Sequence, residues 1–304
     1  MNLKPITKGL KPFGYMLLLA ATIVLLNACE KAVIEEDDDS GQTIVTSANV
    51  VLSVKANTVS PFESATRAVV NITDYCKTFN FVLYQDGKKV KSITQKAGEA
   101  DYGLVSLMLE PGTYQLLVLA HSSKGNPSLA DLEKIQFTND DNFTDTFYYY
   151  GDLIVTEDTE THNIRLNRAT TAVKMFFEEV VPEDLYYIKV NYTGGSGVLN
   201  ALTGHGGNVN SQQEVWFNVS QRVAAKESFT LSLYTFLQSD SGSLKIIVTP
   251  MDKNQNVIGD QRTYTDVPVE HTKLTQFKGR FFDPLNTFNF TAETDWEVVA
   301  TLDY

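Results

Sequence analysis

Thr113-Tyr114-Gln115-Leu116-Leu117-Val118-Leu119-Ala120 is the stretch that decides the fold class. It is a long apolar run, opened by a Pro111-Gly112 turn, and it reads as a central strand. The chain on either side repeats the theme. Upstream, Val105 to Leu109 is strand-like. Before it, Phe79-Asn80-Phe81-Val82-Leu83-Tyr84 is another strand, closed by the hairpin signal Gln85-Asp86-Gly87. Val50-Val51-Leu52-Ser53-Val54 is the first β-rich segment. Downstream, Ser128 to Lys134 predicts a short helix, with Ser128 and Asp131 at capping-box spacing. Phe147-Tyr148-Tyr149-Tyr150 is aromatic, Gly151-Asp152 predicts a turn, and Leu153-Ile154-Val155 a short strand. A polar stretch from Thr156 to Asn163 then leads to Ile164-Arg165-Leu166.

A second set of strands starts near Ala169. It comprises Ala172 to Phe177, Asp184 to Tyr192, Ser228 to Phe236, Ser243 to Val248 and Thr275 to Phe282. Short strands at fairly regular spacing, separated by Gly, Asn and Asp turns, predict all-β sandwiches. A boundary near residues 166–170 gives two halves of ordinary domain size, 46–167 and 168–304. The halves share a strand-rich pattern and no detectable sequence repeat. At the C-terminus, Trp296, Val298, Ala300, Leu302 and Tyr304 fall on one side of a period-two strand. Such a strand fits two uses equally: packing on its own domain, or donation to a neighbour by strand addition.

The N-terminus reads differently. Lys4, Lys8 and Lys11 form a positive region without acids. The apolar run from Phe13 to Leu26 is about 14 residues, too short for a bilayer, which needs roughly 20. Leu26-Asn27-Ala28-Cys29 then reads as a lipobox, with small Ala28 before the cut. Residues 1–28 are therefore expected to be a lipoprotein signal peptide. The Cys29 thiol would take a diacylglyceryl group and its freed amine a further acyl chain. Several acyl chains anchor firmly where one anchors marginally. Residues 29–45 hold the run Glu35-Glu36-Asp37-Asp38-Asp39 before Ser40-Gly41, a solvated acidic tether.

Composition excludes some functions. The formal charge of −12 falls to −15 once three lysines and no acid leave with residues 1–28. An acidic chain is a poor nucleic-acid binder, since phosphates need clustered Lys and Arg. Besides Cys29 only Cys76 remains, so no internal disulfide forms, and Cys76 reads as a small buried residue. The four histidines, His121, His162, His205 and His271, read as surface or turn residues. Glu160 would share a strand face with His162, but no third ligand completes a zinc site. Gly194-Gly195-Ser196-Gly197 lacks the glycine at position 198 of a nucleophile elbow, and Gly204-His205-Gly206-Gly207 lacks the Lys-Ser/Thr of a P-loop. Asn139-Asp140-Asp141-Asn142 does not fit EF-hand spacing and reads as a solvated loop. No cofactor or catalytic constellation can be assembled, and the chain is not expected to be an enzyme.

Several motifs, in order, carry a resemblance. They are the lipobox, Thr66-Arg67 after the first strand, Phe81-Val82-Leu83-Tyr84 with Asp86-Gly87, and Pro111-Gly112-Thr113-Tyr114-Gln115 leading to Ala120-His121-Ser122. Tyr148-Tyr149-Tyr150-Gly151, Leu166-Asn167-Arg168-Ala169 and Tyr192-Thr193-Gly194-Gly195-Ser196-Gly197 follow, then Val267-Pro268-Val269 before Gln276-Phe277-Lys278-Gly279. Together they resemble the FimB-like fimbrial anchor subunits, lipoproteins of the fimbrillin superfamily, over nearly all of the chain after Cys29. The resemblance implies two tandem transthyretin-like β-sandwich domains. It implies a minor, non-catalytic fimbrial subunit that anchors a pilus to the outer membrane, limits its length and meets other subunits by strand complementation. The acidic run after Cys29 is similar to that of surface-displayed lipoproteins, which implies a surface-exposed protein.

In stalk subunits of such pili an arginine-specific protease removes the leading strand, and Arg67-Ala68 stands where that cut would fall. In an anchor the lipid lies upstream of the cut, so Arg67 is expected to stay intact. Two alternatives remain open. One is a stalk or tip subunit matured by cleavage after Arg67. The other is a surface lipoprotein that binds glycan or protein, with Tyr148, Tyr149, Tyr150 and Trp216 as aromatics able to stack on sugar.

Overall fold

The apolar run at 113–120 lies at the centre of a five-stranded sheet in the computed structural model, which describes residues 48–62, 68–137, 143–177, 179, 181–207, 212–282 and 289–293. The chain divides into Met1–Thr43 and Ile44–Tyr304, and everything described lies in the second unit. Its strands begin with β1 (Val50–Ser53), β2 (Thr58–Val59), β3 (Val70–Asn71), β4 (Thr78–Gln85), β5 (Lys88–Lys96), β6 (Leu104–Leu107) and β7 (Gly112–His121). They continue with β8 (Ile135–Gln136), β9 (Phe147–Val155), β10 (Glu160–Asn163) and β11 (Asn167–Arg168). The second set is β12 (Thr171–Phe177), β13 (Tyr187–Thr193), β14 (Val198–Asn200), β15 (His205–Gly206), β16 (Gln213–Asn218), β17 (Phe229–Thr235), β18 (Ser241–Met251), β19 (Arg262–Glu270), β20 (Leu274–Gly279) and β21 (Asn289–Glu293). Among the described residues two short helices, α1 (Ile72–Tyr75) and α2 (Ser220–Ala225), complete the inventory.

The protein is an all-β sandwich. In the first half, sheet β11-β9-β7-β4-β5 faces the smaller sheet β10-β1-β6. Phe79, Phe81 and Leu83 of β4, and Leu116, Val118 and Ala120 of β7, fill the space against Val50 and Leu52 of β1 and Val105 and Leu107 of β6. The opposite face of the large sheet is buried too. There Val82, Tyr84, Leu117 and Leu119 meet Leu129, Ile135 and Phe137. Burial on both faces explains why β7 is apolar at consecutive positions instead of alternating. The β4–β5 hairpin turns on Asp86 (φ 50°) and Gly87 (φ 72°), the left-handed pair that a two-residue turn requires.

The second half repeats the arrangement. Sheet β17-β12-β20-β21 faces sheet β16-β13-β18-β19 across Met175, Phe177, Ile188, Val190, Leu231, Ile246, Val248 and Phe277. Its first strand, β12, lies between antiparallel β17 and parallel β20. β1 likewise lies between antiparallel β6 and parallel β10. The likeness between the halves is one of topology.

Main-chain bonds and one apolar cluster bind the halves together. β14 pairs with β8, with Leu199 opposite Ile135. Phe137 N donates to Gly197 O at 2.9 Å, and Ala201 N to Leu132 O at 2.8 Å. Phe236 joins the cluster on the outer face of the large sheet, its ring 5.6 Å from that of Phe137.

Several sequence expectations need correction. Ser128–Lys134 is not a helix. Ser128 N donates across to Gln136 O, and Asp131 accepts from Glu133 and Lys134, so the segment closes as a turn. The apolar cluster draws in Leu129 and Ile135 from either side of it. Gly151-Asp152 does not turn, because both stay in register with Leu116 and Gln115 as part of continuous β9. His121 is not a surface residue but fully buried. The acidic loop at Asn139–Asn142 lies outside the described residues.

Candidate functional site

The site worth building is β1 and the chain that follows it. β1 is the middle strand of its sheet. Val50 through Ser53 pair with Glu160 through Asn163 on one side and with Leu107 through Leu104 on the other. Val50, Leu52 and Val54 point into the core, each at most 1 % exposed. Two asparagines fasten its ends. The Asn49 amide donates to Leu109 O (2.8 Å) and Thr156 O (3.0 Å) and accepts from Leu109 N (2.9 Å). The Asn57 amide donates to Val54 O (2.8 Å) and Ile164 O (2.7 Å) and accepts from Leu166 N (2.8 Å). Each amide therefore satisfies main-chain groups that would otherwise be buried without partners.

Beyond Asn57 the chain pairs β2 with β3, Val59 opposite Val70, so residues 60–69 form the connection between two bonded strands. The near end of this connection is held tightly. Arg168 Nη2 donates to Ser60 O at 2.7 Å. Its guanidinium also forks onto Asp145, with Nε–Oδ1 at 3.0 Å and Nη2–Oδ2 at 2.9 Å. Thr170 and Tyr75 hydroxyls donate to the same carboxylate at 2.7 and 3.2 Å. The ion pair is 1 and 2 % exposed. Phe62 covers one face of the guanidinium at 3.8 Å, and Phe147 stands 4.9 Å away. Burial of this kind is tolerated because the two charges meet in a forked geometry and further hydrogen bonds from Thr170 and Tyr75 and to Ser60 O surround them. Phe62 itself sits among Ala172, Tyr234 and Leu274 of the second half. At the far end, Ala68 and Val69 are exposed.

The expected site residues fall unevenly on this picture. Ala28, Cys29 and Arg67 lie outside the described residues, as do Trp296, Val298, Ala300, Leu302 and Tyr304. The last described strand, β21, is the edge of its sheet, antiparallel to β20. Cys76 is free and buried beneath this site, its thiol pushed up by burial and by Asp145. Tyr148, Tyr149 and Tyr150 are half-buried against the two cores, whereas Trp216 is exposed. His162 stands 3.7 Å from Glu160 on β10. Among the described residues no group of three or more His, Cys, Asp or Glu could hold a metal ion. Ser196 is fully buried, its Oγ bonded to the Val198 main chain. No described helix is long and apolar enough to cross a membrane.

Sequence reasoning missed Asn49, Asn57, Asp145 and Phe62. Asn49 and Asn57 flank the first β-rich segment, which was the available signal. Nothing local could pair Asp145 with Arg168 across 23 residues.

This fold and site define a β-sandwich protein in which the first described strand is the middle strand of its sheet. The chain belongs to the family of unknown function DUF6562, which it matches over residues 41–298. No curated protein matches it. Among solved structures it is similar to a proposed adhesin from Bacteroides thetaiotaomicron VPI-5482, at 10% identity, covering 84% of this chain and 99% of that one, TM-score 0.48. It is also similar to a fimbrial assembly protein from Parabacteroides distasonis ATCC 8503, at 10% identity over 80% and 97% of the two chains, TM-score 0.38. A third is the fimbrial anchor protein Mfa2 from Porphyromonas gingivalis, at 11% identity over 82% and 98%, TM-score 0.40.

Proposed function

We propose that this chain is a non-catalytic fimbrial anchor subunit, held to the outer membrane by acyl chains on Cys29, displayed at the surface and joined to other subunits by strand complementation. In this reading residues 29–45 are the tether, and 46–167 and 168–304 are the two sandwich domains. The solved fimbrial proteins named above are too distant to carry the reading, which rests on the chain itself. The observation that carries it is the place of β1. The first described strand after residues 29–45 is the middle strand of a sheet, so whatever holds Cys29 also holds the sandwich. A cut after Arg67 would part the body from both its lipid and this strand. An anchor therefore keeps Arg67 intact, whereas a stalk or tip subunit loses everything before Ala68. The outer edge of β21, the last strand of its sheet among the described residues, and the segment Trp296 to Tyr304, expected to be a strand, are the proposed contact to the next subunit.

Intact mass spectrometry of protein purified from native outer membrane, with whatever co-purifies, tests this. An acylated N-terminus at Cys29 with pilin attached is the expected result. A lipid-free chain beginning at Ala68 would overturn the anchor reading in favour of a stalk or tip subunit.

A further inference from the structure

The outer face of sheet β16-β13-β18-β19 has no part in the site above. On it stands Trp216, 37 % exposed. Register explains its surroundings. Lys189 lies opposite Trp216 and Asn191 opposite Glu214, so the four side chains form a square across β13 and β16. The indole Nε1–H donates to Glu214 Oε1 at 2.7 Å. The other carboxylate oxygen accepts from Asn191 Nδ2 at 2.8 Å and Lys189 Nζ at 2.9 Å. These hydrogen bonds, that from Trp216 first, hold the Glu214 carboxyl down at about 2, so it stays ionised. Lys189 Nζ also sits 5.2 Å from the indole centre, and the Tyr187 ring meets the indole edge-on at 5.9 Å.

The indole is thus fixed in angle before any ligand arrives, which removes much of the ordering cost of binding. Glu214 and Lys189 cancel, leaving an aromatic plane with a neutral polar rim. A protein interface needs a core of several apolar side chains. A single flat ring bordered by the Asn191 amide, the Glu214 carboxylate and the Lys189 ammonium instead matches a pyranose, which offers one face of C–H groups and an edge of hydroxyls. The chain's charge of −12 disfavours an acidic polymer.

We propose that the Trp216 face binds a neutral oligosaccharide, with one sugar ring stacked on the indole. This goes beyond the anchor reading and does not depend on it. Native affinity electrophoresis of the detergent-solubilised full chain, in gels containing laminarin, yeast mannan or amylose, tests it, with polygalacturonate as the acidic comparison. Retardation is expected in at least one neutral gel. It should weaken about tenfold or more in Trp216→Ala, survive in part in Trp216→Tyr, and be unchanged in Ile154→Ala, an exposed position on β9. No retardation in any neutral gel, retardation by polygalacturonate alone, or equal retardation of Trp216→Ala would each overturn the proposal.

Discussion

His121 is an imidazole where water does not reach. It ends β7 on the face shared with Leu117 and Leu119, its Nε2 is 3.0 Å from Asn80 Oδ1, and its Nδ1 is buried with no partner. Burial, with Lys96 adding to it, pushes its pKa down to about 4. In the unfolded chain the ring titrates near 6.5, so between these values the unfolded state binds a proton that the folded state refuses. The resulting stability is complete above about pH 6.5, shrinks as pH falls through that value and is gone near pH 4, a loss of about 3 kcal/mol. Urea unfolding at pH 7 and at pH 4.5 should show it, and His121→Gln should lose the part of the slope due to this ring. The surface reading of this histidine overlooked that His121 continues the alternation of Leu117 and Leu119. The pairing of Arg168 was not legible either, because its partner Asp145 lies 23 residues away in the irregular segment before β9. Replacing Arg168 by Met leaves Asp145 charged and buried and should cost about 3–5 kcal/mol in the same assay.

β1 is the element on which the most depends. Leu52→Ala removes a fully buried side chain and should cost about 3 kcal/mol by chemical denaturation, as large-to-small core changes do. A change within 1 kcal/mol would mean that β1 is not part of the cooperative core. β1 itself was legible from its β-branched run. Its neighbour β10 was not, because Glu160–Asn163 is polar and outward-facing, and only its parallel register with Val50–Ser53 makes it a strand. β19 escaped notice for a related reason. Pro268 interrupts its pattern, which an edge strand tolerates because the missing N–H would face outward. The capping-box spacing at Ser128 misled because a cap contributes about 1 kcal/mol, less than burying Leu129 and Ile135 beside the turn.

At the scale of the whole molecule, the all-β class was legible from the spacing of strands, and the seam that joins the two sets of sheets was not. Ile135, Phe137 and Leu199 lie in short or irregular segments, where no periodicity marks them as core, and Phe236 follows β17 out of phase with Phe229, Leu231 and Leu233. Gly195 shows how tight the seam is. A Cβ there would meet Thr235 Oγ1, so any side chain would push the Ser196–Phe236 bridge apart. A shared cluster of this kind makes the halves unfold together. One calorimetric transition is expected for the parent chain. Phe236→Ala should lower it by about 3–5 kcal/mol of stability and split it into two.

β1 also has a mechanical meaning. Force applied from the Asn49 end draws the strand along its own axis, so the bonds to β6 and β10 are loaded in shear, all at once. Hydrogen bonds loaded this way resist far better than bonds opened singly like a zipper. Asn49 and Asn57 bolt the strand at both ends. Under force applied at the N-terminus in an optical trap, the first half should yield abruptly and at high load, and Asn57→Ala should lower that load while leaving the second half as strong as before.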